Sequence, residues 1–428
     1  GKRESKSPGQ QGEGGAGRIQ FVAGHLMVLQ HIGGQTGGGV EVQRAFQHMR
    51  VDQQAWQLQA SDISMIYVLY MCGGLCALLF LGRLPDRIGF QRVLLCFLLL
   101  TLVGTLISML AWNLPSLIVG RFMVGVASSL ITISATTGLT VLAASGSTRL
   151  RPQRVAMVAS FLNVLGFGLG PLIGGMAGQW LPQPLMMAYV APLVLGCAGV
   201  VAIALLKLPQ SASQAAQLPG RLQWQDCQPR LTWPQREDSL AFILTCGYPF
   251  VAFGVFGLYA SMAPLFLQQM IPWSGPVVIG TAIAVILLVS AFIQLVAARL
   301  ALHRCGFTGM ALLVTSNGML VVNLQMGSIL LFVLGVSLTA LGHGMCMLAG
   351  MTMVGRIAGP DNRAGMLSTY QTIGLLGSML PMMAVGWIAD HWGIQVAVTV
   401  FACFVMVLGS VLGLAFVRHP RMRAKPEA

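Results

Sequence analysis

The run from Val93 to Trp112 carries no charged residue, and the chain holds eleven more stretches of similar length and character. A helix needs about 20 apolar residues to cross the hydrocarbon of a bilayer. Backbone groups in lipid must be bonded inside their own segment, which favours helices. A transmembrane barrel would show alternating segments of about 10 residues, and Val93 to Trp112 does not alternate. The spans read as 19–40, 62–82, 93–112, 115–142, 155–178 and 184–206, then 239–266, 275–298, 307–325, 328–354, 364–388 and 394–417; they are called spans 1 to 12 below. Short turns such as Asn113-Leu114-Pro115 join consecutive spans, so neighbours run antiparallel. The expected fold is an all-α polytopic membrane protein with two six-helix bundles. Its parts are a tail over 1–18, a first bundle over 19–206, a linker over 207–238, a second bundle over 239–417 and a tail over 418–428.

Composition agrees. Charged residues make up 9% of the chain and apolar ones 55%, against about 25% charged in soluble domains. The net charge of +13 would suggest nucleic acid on a soluble protein. Its distribution argues for topology instead, because Lys and Arg are retained on the cytoplasmic side. With the N-terminus inside, 22 of the 25 Lys and Arg fall in the tails or in cytoplasmic loops, only Arg44 and Arg50 fall outside, and Arg121 lies within a span. Both termini are therefore expected in the cytoplasm, with the chain in a cell membrane of the bacterial inner-membrane kind and no nucleic-acid partner. Residues 1–17, rich in Gly, Lys, Gln and Ser, read as a disordered tail without a cleavable signal peptide. The nine cysteines form no CxxC pair and read as small buried hydrophobes. Nothing in the pattern calls for an oligomer, and the chain reads as a monomer.

A duplicated bundle should leave an echo in the sequence. At an offset of 209 residues, Gln153-Arg154-Val155-Ala156-Met157 lands on Asn362-Arg363-Ala364-Gly365-Met366, and Gly168 lands on Gly377. A weaker echo sets Gly82-Arg83-Leu84-Pro85-Asp86-Arg87 against Ala298-Arg299-Leu300-Ala301-Leu302-His303-Arg304, without the Asp. Spans 1–6 are thus expected to match spans 7–12 about a pseudo-two-fold axis.

Three elements carry chemistry. After span 2 the chain reads Gly82-Arg83-Leu84-Pro85-Asp86-Arg87-Ile88-Gly89. A carboxylate in such a turn can sit against a helix N-terminus, and a basic residue can pair across to the other half. Span 4 carries Leu117-Ile118-Val119-Gly120-Arg121-Phe122-Met123-Val124-Gly125. An arginine within a span is costly and points to function. Span 5 carries Gly166-Phe167-Gly168-Leu169-Gly170-Pro171-Leu172-Ile173-Gly174-Gly175, whose small residues let helices touch. The first element resembles the loop signature of the major facilitator superfamily, with Phe90-Gln91 where a basic pair is usual. The second is similar to that family's LxxxRxxqG element, with Val124 in place of Gln, and the third to its antiporter motif GxxxGPxxGG. The resemblance implies a twelve-helix drug or metabolite:proton antiporter. It makes Gly82, Asp86, Arg87 and Gly89 a cytoplasmic gating latch, Arg121 a proton-coupling or anion-contacting residue, and Gly166, Gly170, Pro171, Gly174 and Gly175 a mark of exporters.

No Asp or Glu lies deep in any span: Glu41, Asp62 and Asp390 all sit at span ends. Histidine can titrate instead. The candidate substrate or proton residues are His25, His31 and Gln35 of the unusually polar span 1, Arg121, Asn163, His343, Tyr370 and Gln371, with Gln294 a further polar position. His343, Cys346, Met347 and Met351 share one helical face and are weak candidates for passing copper(I); a methionine stripe is more often core filler, and no resident metal or cofactor is expected. The loops are short and no nucleophile–base set appears, which argues against an enzyme or a receptor. The function expected is alternating-access transport, in the first place proton-coupled export of a small amphipathic or anionic molecule such as a drug or siderophore. Import of a small metabolite or siderophore is the alternative.

Overall fold

The structure is a computed structural model, and it describes residues 59–144, 152–181, 184–205, 228–229, 231–270, 275–358 and 363–423. Span 1 lies outside these residues, with His25, His31 and Gln35. Eleven of the twelve expected spans are helices. In the first half they are Ala60–Cys76, continued by a π-helical turn Ala77–Leu81, then Phe90–Met109, Leu114–Ala144, Pro152–Trp180 and Pro184–Ala204. In the second they are Arg236–Ser261, Pro276–Ala297, Leu302–Met326, Ile329–Ile357, Arg363–Trp392 and Ile394–Arg418.

Most helices overrun their expected limits at one or both ends, because a helix does not stop where the hydrocarbon does. Span 7 differs more. It breaks at Met262 (φ −100°, ψ −10°), and a separate helix, Ala263–Met270, follows. It also starts at Arg236, inside the stretch read as linker. The last linker residues are docked rather than loose: Thr369 Oγ donates to the Thr232 carbonyl (3.1 Å), and the Thr232 N–H donates back to it (3.0 Å). Beyond it, Asp238 at the start of span 7 pairs with Arg421 after span 12.

The repeat is visible in the packing. Span 3 lies on spans 4 and 6 as span 9 lies on spans 10 and 12, and span 2 lies on span 4 as span 8 lies on span 10. Between the halves, span 5 packs on span 8 and span 11 on span 2, the two contacts that the repeat relates to each other. Spans 5 and 11 each continue through one internal proline, Pro171 and Pro381. Among the described residues the eleven helices are arranged as the expected twelve-helix, two-bundle architecture requires. Its surface is apolar in the way lipid requires: Leu99, Val103 and Leu106 of span 3 and Phe404, Val407 and Val411 of span 12 are exposed.

Candidate functional site

The loop of residues 82–89 marks one end of the molecule; the opposite end is called the far end here. In the loop, Leu84–Ile88 forms one short helical turn. Gly89 then takes φ 90° and ψ 136°, a conformation reserved for glycine, and its carbonyl opens span 3 by accepting from Val93 N–H (3.3 Å). That is the physical reason a glycine ends the motif. Arg83 and Arg87 are both engaged and half-buried. The side chain of Asp86 lies outside the described residues, as does that of Asn163.

Arg121 is 1% exposed. It sits seven residues into span 4, about 10 Å deep at 1.5 Å per residue. Burial at that depth rules out an arginine reaching the surface for solvation. Its Nη2 donates to the hydroxyl of Tyr189 of span 6 (3.4 Å), and its guanidinium carbon lies 5.8 Å from the centre of that ring. Tyr189 is itself buried. The glycines that flank Arg121 explain how it is held. A side chain at Gly120 would strike Ser108 and Gly104 of span 3, and one at Gly125 would strike the Tyr70 carbonyl of span 2. Span 4 is thus gripped on two faces, and Tyr70 completes the corner by bonding Ser128 (3.2 Å). Nothing in the sequence singled out Tyr189, a lone tyrosine in an apolar run.

The span-5 motif forms the seam with span 8. Gly168 faces Leu288, with an added Cβ 3.1 Å from its Cγ. Gly175 faces the Pro276 carbonyl, and Gly280 of span 8 faces the Pro171 carbonyl. Gly166, Gly170 and Gly174 are buried in the same helix. At the far end, Gln179 Oε1 accepts from Val277 N–H (3.3 Å).

The other seam, span 2 on span 11, is polar. The Asp390 carboxylate accepts from the N–H groups of Ala60 (2.8 Å) and Ser61 (3.2 and 3.3 Å), the first turn of span 2. Asp62 stays within its own helix and accepts from Gln59 N–H (2.9 Å). Ser64 lies against Gly386, and Tyr67 shares a 2.5 Å hydrogen bond with Ser378. Both seams carry a hydrogen bond at the far end.

In the second half, His343 of span 10 is 6% exposed, and its Nδ1 lies 2.8 Å from Ser290 Oγ of span 8. Phe253 and Phe256 of span 7 flank the imidazole, each with its ring centre 6.2 Å away. Tyr370, by contrast, is 0% exposed in a packed cluster with Phe242, Cys246, Val354 and Met366, against Gly350. Neither its hydroxyl nor Gln371 Oε1 has a hydrogen-bond partner among the described residues. Gln294 turns back on its own helix and donates to the Ser290 carbonyl (3.2 Å). Of the copper candidates, two point to different surroundings from His343. Cys346 faces Gly309 of span 9, away from His343's partners, and Met351 is 41% exposed. Among the described residues no three of His, Cys, Asp and Glu gather around one point.

Comparison with known proteins places the whole. The sequence profile of the Major Facilitator Superfamily matches residues 26–322 and 303–428. A uridine/deoxyuridine transporter of Lactococcus lactis subsp. cremoris (strain MG1363) is 29% identical over 166 residues, covering 39% of this chain and 32% of that protein. The match thus spans about a third of that relative's length. Among solved structures, a bacterial homologue of the human lysosomal transporter Spinster, inward-facing and unoccupied, has a TM-score of 0.71 at 13% identity, covering 99% of this chain and 100% of that one. The peptide transporter POT in complex with sulfate has a TM-score of 0.73 at 13% identity, covering 95% of each chain. At these identities the structures speak for the fold alone.

Proposed function

The chain belongs to the Major Facilitator Superfamily and is a secondary transporter, and we propose that it exports a small amphipathic or anionic molecule in exchange for protons. The observation that carries this reading is the pair of seams. The described helices of the two halves, spans 2 to 6 and spans 7 to 12, touch along spans 5 and 8 and along spans 11 and 2, and so can rock against each other about a site between them. The Gly82–Gly89 loop acts at the opposite end, as the latch that alternates with the far-end closure. Arg121 supplies the positive charge for an anionic group, since a buried arginine in a span is retained at a cost that function must justify. Export is supported by the span-5 motif, which forms the seam with span 8 and resembles that of antiporters. Proton exchange has no carboxylate to use at mid-span, so it falls to histidine or to a change in the contacts of Arg121. The working unit is a single chain.

The test is uptake of anionic and amphipathic dyes into inside-out vesicles. An acidic lumen should drive accumulation, and Arg121→Ala should cut the rate at least about tenfold. No accumulation under any imposed gradient sinks the reading. A second reading, carriage of a nucleoside-like solute, is supported by the match to the uridine/deoxyuridine transporter. Uridine uptake by right-side-out vesicles on an inward proton gradient would favour it over export.

A further inference from the structure

His343 and Ser290 lie at one depth. Each is fourteen residues from the far-end start of its helix, Ile329 and Pro276, which is about 21 Å at 1.5 Å per residue. Their approach is fixed by backbone. A side chain at Gly344 would strike the Ser290 carbonyl and Ile293, so spans 8 and 10 press together beside the bond. The 2.8 Å contact uses Nδ1. Nε2 has no hydrogen-bond partner among the described residues and is not among the sealed polar atoms, the residue being 6% exposed. A ring nitrogen left open in this way can take a hydrogen bond from an occupant without first breaking one to the protein. A purely structural histidine would spend both nitrogens on its neighbours.

The walls are aromatic. Phe253 lies nearly parallel to the imidazole, at 25°, and Phe256 is tilted at 51°. They stand three residues apart on one face of span 7, and Phe253 is only half-buried. Rings of this kind attract another ring by face or edge. Neither a metal nor a compact ion suits the place, because Cys346 turns away to Gly309 and no acid lies at this depth in any span.

We propose that His343, Phe253 and Phe256, with Ser290 positioning the imidazole, form the recognition site for a planar heteroaromatic ring bearing a ring nitrogen or oxo group. The ring slides against the two phenylalanines and bonds Nε2 in its own plane. This rests on the transport reading, since the ring belongs to the solute carried. The site also touches the far-end seam. Gly257, one turn from Phe253, abuts Tyr67 and Ser378, and Phe253 packs on Gly374, one turn before Ser378. An occupant therefore lies next to the Tyr67–Ser378 bond that joins the halves.

The experiment uses the purified full-length chain and follows its unfolding temperature on titration with uridine, adenosine, nicotinamide and 5,6-dihydrouridine. The last keeps the hydrogen-bonding groups of uridine on a puckered ring. We expect uridine to bind about tenfold more tightly than dihydrouridine, His343→Gln to weaken it about tenfold, and Phe256→Leu to erase the preference for the flat ring. Ser290→Ala should weaken binding about threefold, with Ser290→Thr restoring it, as expected of a group acting through the imidazole. Equal binding of uridine and dihydrouridine overturns the proposal, and so does unchanged binding in both His343→Gln and Phe256→Leu. Stabilisation by none of the flat rings does the same. If His343→Gln fails to fold, Phe256→Leu and the uridine–dihydrouridine ratio of the unaltered chain still decide. Binding is read without a gradient, so a chain that binds rings but moves nothing in vesicles fails only as a transporter. One that accumulates dyes without discriminating rings fails only here.

Discussion

The two seams between the halves are related by the internal repeat, yet they are made of different material. Along spans 5 and 8 the contact is backbone on backbone, Gly175 against Pro276 and Gly280 against Pro171, and Gln179 accepts from Val277 N–H at its far end. Along spans 2 and 11 hydrogen bonds stand at either end, Asp390 on Ala60 and Ser61 and Tyr67 on Ser378, with the close approach of Gly386 to Ser64 between them. Apolar helices in lipid gain little from meeting, so association depends on fit and on hydrogen bonds. The first seam relies on fit and tolerates no added atom. The second adds to its one close glycine contact bonds that water can replace one at a time. A seam of fit suits a surface about which bodies turn, and a seam of replaceable bonds suits a closure that opens.

That contrast can be broken on the steric side first. Gly280→Leu drives a side chain into the Pro171 carbonyl; overpacking costs about 1–3 kcal/mol and often more against backbone. Transport in vesicles should be lost, and the unfolding temperature should fall by several degrees. On the polar side the effects are smaller and change a population rather than the fold. Tyr67→Phe removes one part-buried hydrogen bond, worth about 1 kcal/mol. Thiol labelling of Ser64→Cys from the far end should then quicken about fivefold, with the unfolding temperature barely moved. Asp390→Asn comes last, because its bonds are exposed and screened. The same labelling should rise about twofold. Asp62→Asn, which affects only a cap inside span 2, should leave labelling unchanged, and an equal effect from Asp62 and Asp390 would dissolve the distinction between cap and closure.

Much of the fold was legible in the sequence. Uncharged runs of sufficient length, separated by turns, located eleven helices within a few residues of their ends, and the 209-residue echo anticipated that spans 5 and 11 would pack alike. Candidate positions stood out only where one residue type is itself anomalous, as with Arg121 in an apolar helix or the glycine run before Gly175. Direction was not legible. A helix in a membrane meets lipid on one side and apolar neighbours on the other, so the period that marks an inward face in a soluble helix is erased. Tyr370 and His343 looked alike in the sequence, each a polar residue in mid-span. One is sealed in a core against Gly350 and the other bonds Ser290 between two phenylalanines. Ser290, Tyr67 and Ser378 gave no signal, since a hydroxyl in a span ordinarily bonds its own helix, as Thr245 and Ser261 do. Asp390 was visible as an acid at a span end, but its partner lies 330 residues away.

The π-helical turn Ala77–Leu81 has a consequence for how the loop is aimed. Such a turn arises when one residue more than an α-helix needs is lodged in it. Each residue of an α-helix sweeps about 100° around the axis. Deleting Leu79 alone would let the last turn of span 2 relax to α and would swing everything after it by roughly that angle. Gly82, now beside Ile133 of span 4, would face elsewhere, and the whole Gly82–Gly89 segment with it. The heading of that segment is thus set by a residue count upstream as well as by its own side chains. A copy of the same eight residues behind an unbroken α-helix would point in another direction.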